Sequence, residues 1–326
     1  MPRRILFLLC CLFIGLALRG TALAQPLKLA VVTKPGASQN VLAEKFAELL
    51  AKESQGRFQV EILHSGMAGN ETQIAEKTRL GQLQLCVVNG GVLDDVVPEV
   101  RVIEYPFLLA DYAQVDKALV RGPGRRVLAA MGKAGLAGLA FGENGFRHLT
   151  NNVRPISNVE QVRGLRIRVM ESEMSKALWT TLGALAVPHP WPINNLLASG
   201  QVEAQENPLW VVLGYELHKL QRYLTLTAHV YSAHVCAANL SWFRGLTQAD
   251  QDLIRRAMEE AANHQRLYNR DLEAQVLAKL KSLGMRVEEH PDRESFKARA
   301  AALARSPLMG PPEVQATLEN FLRVLD

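Results

Sequence analysis

The sequence predicts a mixed α/β protein of two domains with a long helix spanning both, and three observations predict it. Over roughly 220 residues, apolar strand-like runs alternate with segments of helical spacing, the pattern of α/β folds. The length of 326 residues is about two domains' worth at roughly 150 each. From Leu246 onward, a stretch of about 37 residues without Gly or Pro would make a helix near 55 Å long at 1.5 Å per residue, longer than a small domain is wide. Such a helix either spans two domains or joins a bundle, and the alternation before it favours spanning.

Leu27–Val32 is an apolar strand, followed after Lys34-Pro35-Gly36 by a helix over Val41–Lys52 with Leu42, Phe46, Leu49 and Leu50 on one face. Phe58–Ile62 alternates like a half-buried strand, Glu71–Leu80 reads as a helix ending at Gly81, and Leu83–Val88 is the continuous apolar run that a parallel sheet buries on both faces. The pattern continues through helix Tyr112–Met131, strands Leu136–Phe141 and Leu165–Met170, helix Ser172–Leu182, and strands Val202–Gln205 and Tyr223–Thr227. Thr247 with Asp250 resembles a capping box, opening the long helix 247–283 before Gly284. Strand Met285–Glu289 and helices near Glu294–Leu303 and Pro312–Leu325 finish the chain.

Residues 1–24 have the three parts of a secretory signal: Arg3-Arg4, an apolar run from Ile5 to Leu18, and Ala22-Leu23-Ala24 before Gln25. Cleavage is expected after Ala24, because the run is about 14 residues where a membrane span needs about 20. Export as an unfolded chain is expected, since nothing around the arginine pair extends a twin-arginine motif. The mature protein is then soluble in the periplasm or outside the cell. Lys+Arg 37 against Asp+Glu 32 gives +5, but three of those arginines fall in the leader, which holds no acid, so residues 25 onward carry only +2. With no dense basic patch and 6% aromatics, the chain lacks the footprint of a nucleic-acid binder. Cys10 and Cys11 leave with the leader. Cys86 and Cys236 stay; one bridge between them is open, with buried thiols the default. No CxxC, HExxH or Cys/His cluster suggests a metal, no GxSxG, Walker or GxGxxG element appears, and no cofactor is implied.

Three segments offer chemistry. In Leu165–Met170, period-2 alternation puts Leu165, Ile167 and Val169 on one face and Arg166 and Arg168 on the other. Either that face is solvated and ion-paired, or an arginine near the strand's C-terminal end points into the cleft where open α/β sheets bind ligands, its planar fork suited to a carboxylate. Gly142–Arg147 reads as a polar turn after a strand. Gln205-Glu206-Asn207-Pro208 follows another, with Asn207 a helix cap or a ligand hydrogen-bonder; in isolation the cap is favoured. His229 and His234, five apart on a strand-like segment, would face opposite sides and are read as non-ligands. The adjacent pairs Asp94-Asp95 and Glu259-Glu260 are read as solvated charge.

Together with LKLAVVT, the loop HSGMAGNE (His64–Glu71), PEVRVIEYPFLLADY (Pro98–Tyr112), GLAFGENGFRHLTN (Gly138–Asn151), RPISNVEQVRGLRIRVM (Arg154–Met170), GQVEAQENP (Gly200–Pro208) and YLTLTAHVYS (Tyr223–Ser232), these segments resemble the DctP-type solute-binding proteins of TRAP (tripartite ATP-independent periplasmic) transporters. The resemblance covers nearly the whole mature chain. It implies a two-domain periplasmic binding protein (Venus-flytrap) fold that closes on a small organic acid and delivers it to TRAP membrane permease subunits. By position, Arg168 matches the arginine that clamps the ligand carboxylate, Arg147 a second arginine at the ligand, and Asn207 the asparagine that hydrogen-bonds it. Glu71 matches a pocket-facing acid and Trp191 an aromatic packing on the ligand. Asn89 and Tyr231, each at a strand end, line the pocket or serve as core or cap. Two departures stand out: Gly142 replaces a tryptophan common in relatives, so a wider pocket is expected there, and PINNLLAS after Trp191 is about one residue short.

The expected division is residues 26–147 plus about 231–265 in one domain and 148–230 plus about 266–326 in the other. Two other classes stay on the table. A sensor for an organic acid would share the fold and differ in its membrane partner. A hydrolase or lyase would need Glu71 or Glu143 as acid or base, yet no nucleophile or metal set accompanies them.

Overall fold

The computed structural model describes residues 26–326, and two β-sheets organise them. The expected leader, with Cys10 and Cys11, lies outside the described residues. In spatial order the first sheet holds strands Val60–Leu63, Leu27–Ala30, Leu85–Asn89, Tyr231–Asn239 and Leu136–Phe146. The first three run parallel, and Tyr231–Asn239 is antiparallel to both of its neighbours. The second sheet holds Arg286–Glu288, Tyr223–Thr225, His148–Asn151, Ala204–Asn207, Arg166–Val169 and Leu185–Pro188, with His148–Asn151 antiparallel to its neighbours and the other pairs parallel.

Alternation along each strand feeds two cores. Leu27, Leu29 and Val31 pack with Phe46 and Leu50 of helix Ser38–Glu53 on one face of the first sheet, while Ala30 and Val32 join the core on the other. Each fully buried Leu or Phe contributes about 1.5–3 kcal/mol. The same alternation separates the two cysteines, which are free and buried. Cys86 pairs with Ala237 and Cys236 with Val87, a register that sends one thiol into each core and leaves no path for a bridge.

The long helix Gln248–Ser282 starts at Thr247, whose Oγ1 accepts from the amide of Asp250. Its first half sets Leu253, Ile254, Ala257, Met258 and Ala261 into the core of the first sheet. Farther along, Val276 and Leu280 enter the core that Leu196, Leu197, Trp210 and Met285 build beside the second sheet. Between these apolar halves it is polar inside: Gln265 Nε2 and Asn269 Nδ2 both donate to the Glu143 carbonyl and to Ser38 Oγ.

Five expectations need correcting. Tyr112–Met131 is not one helix but a sequence of short pieces, because Pro123 has no amide to donate and sits between two glycines. Gly142–Arg147 is not a turn: the strand runs on to Phe146, paired with Tyr231–Asn239 across a register shift near Asn144, and its carbonyl at Glu143 is taken up by the long helix. The strand expected at Val202–Gln205 lies two residues later, so Asn207 ends the strand itself, and Pro208 rather than Asn207 stands at the start of helix Leu209–Gly214. Asp94 is not solvated but 2% exposed, accepting from Ser172 Oγ at 2.8 Å and the Met174 amide at 3.0 Å. It faces the N-terminus of helix Glu173–Thr181, where unpaired amides favour a negative charge. Last, helix Pro312–Leu325, expected with the second sheet, buries Val314 and Phe321 in the first sheet's core beside Val100 and Val102.

Candidate functional site

The C-terminal ends of strands from both sheets converge on a cavity with about 420 Å³ of empty space, counting the part open to solvent. Its walls include Glu71, Asn89, Arg147, Arg168, Trp191 and Asn207, so six of the seven expected residues come together. Tyr231 does not line it. The Tyr231 ring packs edge-on against Phe146 and its hydroxyl donates to Glu143 Oε2 at 3.3 Å, because the strand points it to the opposite face from the cleft.

Arg166 and Arg168 share a strand face but not an environment. Arg166, at the strand's open start, is exposed and paired with Glu203 at 3.1 Å. Arg168, two residues nearer the closed end, is 3% exposed, and its Nε donates to the His189 carbonyl at 2.8 Å. Among the described residues, no carboxylate pairs with it and its two terminal nitrogens have no protein acceptor. Burial, reinforced by the charge of Arg147, pulls it down to about 10, the mark of a cation short of an anion.

Arg147 lies between the two sheets, after Phe146 of one and before His148 of the other. Its Nε and Nη2 are both held by the Glu206 carboxylate, Nη2 also reaching the Glu206 carbonyl at 2.6 Å and Asn207 Oδ1 at 3.3 Å. Burial acts against both charges, but the pairing outweighs it: Arg147 is pushed up and Glu206 is held down at about 2. His229 Nε2 approaches the same carboxylate at 3.1 Å. Of the Arg147 nitrogens, Nη1 is buried without a partner among the described residues. Glu104, buried within Coulombic reach of that pair, is pushed up to about 8 by desolvation.

Glu71 begins helix Glu71–Arg79, with Asn70 as its cap. Its Oε1 accepts from Gln39 Nε2 at 2.6 Å and from the Asn89 amide at 2.8 Å. Desolvation raises its carboxyl, and these donors and the two arginines oppose the rise. Asn89 both lines the cavity and caps, its Oδ1 accepting from Gly91 while its Nδ2 donates to Ser232 Oγ at 2.8 Å. Asn207 is oriented by Gln205 Oε1, 2.5 Å from its Nδ2. Trp191 packs edge-on to Tyr215, ring centres 4.6 Å apart, and forms an aromatic wall with Trp210. The short segment after Trp191 folds into helix Asn194–Ala198 without displacing that ring from the wall.

Several lining residues went unread in the sequence: Gln39, Asn144, Trp210 and Tyr215. His234, read as a non-ligand, is a correction: its ring lines the cavity, with Nε2 at 3.1 Å from Ser38 Oγ and Nδ1 buried without a partner. Counting faces from His229 misled, because His229 precedes the strand that begins at Tyr231. The wider pocket expected at Gly142 is also corrected. Gly142 is absent from the walls, and a Cβ there would meet Leu42 Cδ1 at 2.7 Å, on the side of the helical core. Glu143, a candidate acid or base, points away from the cleft into an ion pair with Arg270 at 2.8 Å.

The family of bacterial extracellular solute-binding proteins, family 7 (DctP), matches residues 29–307. The chain belongs to this family. A solute-binding protein of Verminephrobacter eiseniae is 32% identical over 284 residues, covering 86% of this chain and 84% of its own. A TRAP periplasmic solute-binding protein from a Polaromonas species, solved with D-erythronate, superimposes with a TM-score of 0.84 at 33% identity, covering 90% of this chain and 97% of its own. One from Bordetella, with density assigned to pantoate, gives 0.85 at 31% identity over 90% and 99%. This DctP chain thus has the periplasmic binding protein fold of TRAP systems, and its relatives are solute-binding proteins rather than enzymes. No helix among the described residues is long and apolar enough to cross a membrane.

Proposed function

We propose that this DctP protein captures a small organic acid between its two sheets through an arginine–carboxylate clamp and delivers it to the permease subunits of a TRAP transporter. The observation that carries the reading is Arg168, a buried cation on the cavity wall with its terminal nitrogens free of protein acceptors. A carboxylate supplies the missing charge in bidentate geometry, offsetting the cost of holding both groups out of water. Arg147 Nη1, Asn207 and Trp191 add donors and an apolar face. The acids bound by the Polaromonas and Bordetella relatives support the same class.

In this reading residues 1–24 direct export to the periplasm and are removed. Residues 26–147 with 231–265 and the last helix form one lobe, and 148–230 with much of the remainder form the other. They close about the crossings at Arg147 and Val230 and the polar middle of the long helix. Closure is a population shift toward the state whose contacts the ligand completes.

Thermal unfolding of residues 25–326 against organic acids and their neutral amides or alcohols tests the clamp. An acid at 100 times its Kd adds about 2.7 kcal/mol of stability. The expected result is a shift with an acid, none with its neutral analogue, and none in folded Arg168→Ala. A neutral compound that binds Arg168→Ala as well as the parent overturns it.

A further inference from the structure

His234 stands on the strand Tyr231–Asn239 opposite Asn89, and both line the cavity. Its ring is 2% exposed, and burial holds it neutral, pulling it down to about 3. A neutral imidazole carries one proton, so one nitrogen donates and the other accepts, and the hydrogen bond at either nitrogen fixes both roles. The protons around Ser38 decide which is which. The Ser38 hydroxyl holds one proton and two lone pairs. Gln265 Nε2 donates to it at 2.7 Å and Asn269 Nδ2 at 3.0 Å, which fills both lone pairs. The second protons of the same two amides go to the Glu143 carbonyl, at 2.7 and 2.6 Å, and fill that oxygen as well. Neither amide can turn round: Gln265 Oε1 accepts from the Glu143 amide at 2.8 Å, and an Asn269 oxygen in place of Nδ2 would stand 2.6 Å from the carbonyl oxygen. The Ser38 proton then has two places to go, both at 3.1 Å: the Glu143 carbonyl, already full, and His234 Nε2. Nε2 therefore accepts, and the ring proton lies on Nδ1.

Ser38, Glu143, Gln265 and Asn269 do not line the cavity, so the Nε2 side of the ring is turned away from it. Nδ1 is buried without a protein partner among the described residues. We propose that His234 is a further ligand-binding residue, its Nδ1–H donating to an acceptor oxygen of the bound acid in a tautomer that Ser38 and the long helix fix. A buried N–H left unpaired keeps its full desolvation cost, which a ligand carbonyl or carboxylate oxygen relieves and an apolar group in the same place does not. One run of hydrogen bonds then joins the ligand, through His234 and Ser38, to Gln265 and Asn269 in the polar middle of the long helix. The inference rests on the organic-acid reading above and adds to it a donor outside the arginine clamp.

Two measurements test it. Nitrogen NMR of ligand-free residues 25–326 at neutral pH, with the His234 ring assigned through its bonds to the backbone, should show a protonated Nδ1 and an unprotonated Nε2. The reverse tautomer overturns the inference. Calorimetric titration with D-erythronate, pantoate and the acids of the unfolding panel then tests the contact. For an acid that binds, folded His234→Leu, which removes the donor, should weaken binding by about tenfold or more, while His234→Asn, whose amide keeps an N–H near the position of Nδ1, should stay within a few-fold. The same acid added to the unaltered protein should move the Nδ1–H signal, a readout that stands even where the variants fold poorly. An acid that binds folded His234→Leu as tightly as the parent, or that leaves the Nδ1–H signal unmoved, overturns the inference. If that acid still requires Arg168, the clamp survives and only the inference falls. Failure of every acid removes the organic-acid reading and this one with it, whichever tautomer the ring shows.

Discussion

Arg147 and Arg168 stand on the same cavity, both nearly sealed from bulk water, yet they do opposite work because of what lies within reach of each fork. Glu206 holds two nitrogens of Arg147, and His229 and Asn207 complete the cluster. That arginine is fastened to the second sheet at the crossing between the two. Arg168 has one carbonyl and open terminal nitrogens. A buried charge that finds its counter-ion inside the protein becomes structure, and one that does not becomes a receptor.

The contrast is broken most sharply at Glu206. Glu206→Gln leaves Arg147 buried without its anion and should cost about 3–5 kcal/mol in urea unfolding at pH 7. The folded carboxyl is held at about 2 against an ordinary value of 4.5, so its stabilisation is complete above 4.5 and drains away as pH falls toward 2. The gap between variant and parent should therefore narrow in unfolding experiments repeated at pH 3. A constant gap would mean the carboxylate charge is not what matters.

Arg168→Ala should behave in the opposite way, leaving the ligand-free protein about as stable as before and weakening acid binding by roughly a hundredfold. Matching losses of stability from both arginines would erase the distinction. Asp94→Ala tests a contact joining the two sides of the cleft, since Asp94 precedes the crossing at Arg147 while Ser172 and Met174 follow it. About tenfold weaker binding is expected if the contact forms on closure. Trp191→Leu, which trades an aromatic wall for a smaller apolar one, should change affinity only several-fold.

The architecture was readable because its signals are local and repeated. Leu85–Asn89 is an unbroken apolar run, and the capping pair Thr247 and Asp250 opens a helix whose length alone demands two partners. Polar residues at strand ends marked Arg168 and Asn207 only as open alternatives, and the resemblance to DctP-type proteins brought them to a ligand; the structure places both on the cavity wall. Residue patterning failed where a side chain's direction depends on pairing that the chain establishes far away. Whether Tyr231 or His234 faces the cleft is decided by the register of their strand against Leu136–Phe146, including a shift that spacing does not announce. Glu206 and Arg147 are about sixty residues apart, and their pairing arises only when two antiparallel strands bring His148 opposite Asn207. Asp94 looked like surface charge because its partners, the Ser172 hydroxyl and the Met174 amide at a helix start, lie 78 and 80 residues farther along the chain.

The placement of the two thiols among the described residues has a consequence for how the fold meets a change in redox surroundings. Cys86 and Cys236 sit in separate cores on opposite faces of one sheet, and burial pushes the Cys86 thiol up to about 11 and raises Cys236 further still. Neither offers a thiolate to an oxidant or to another disulfide. Among the described residues neither thiol is placed for a bridge, so the two sheets are expected to keep the same architecture whether the surroundings oxidise or reduce.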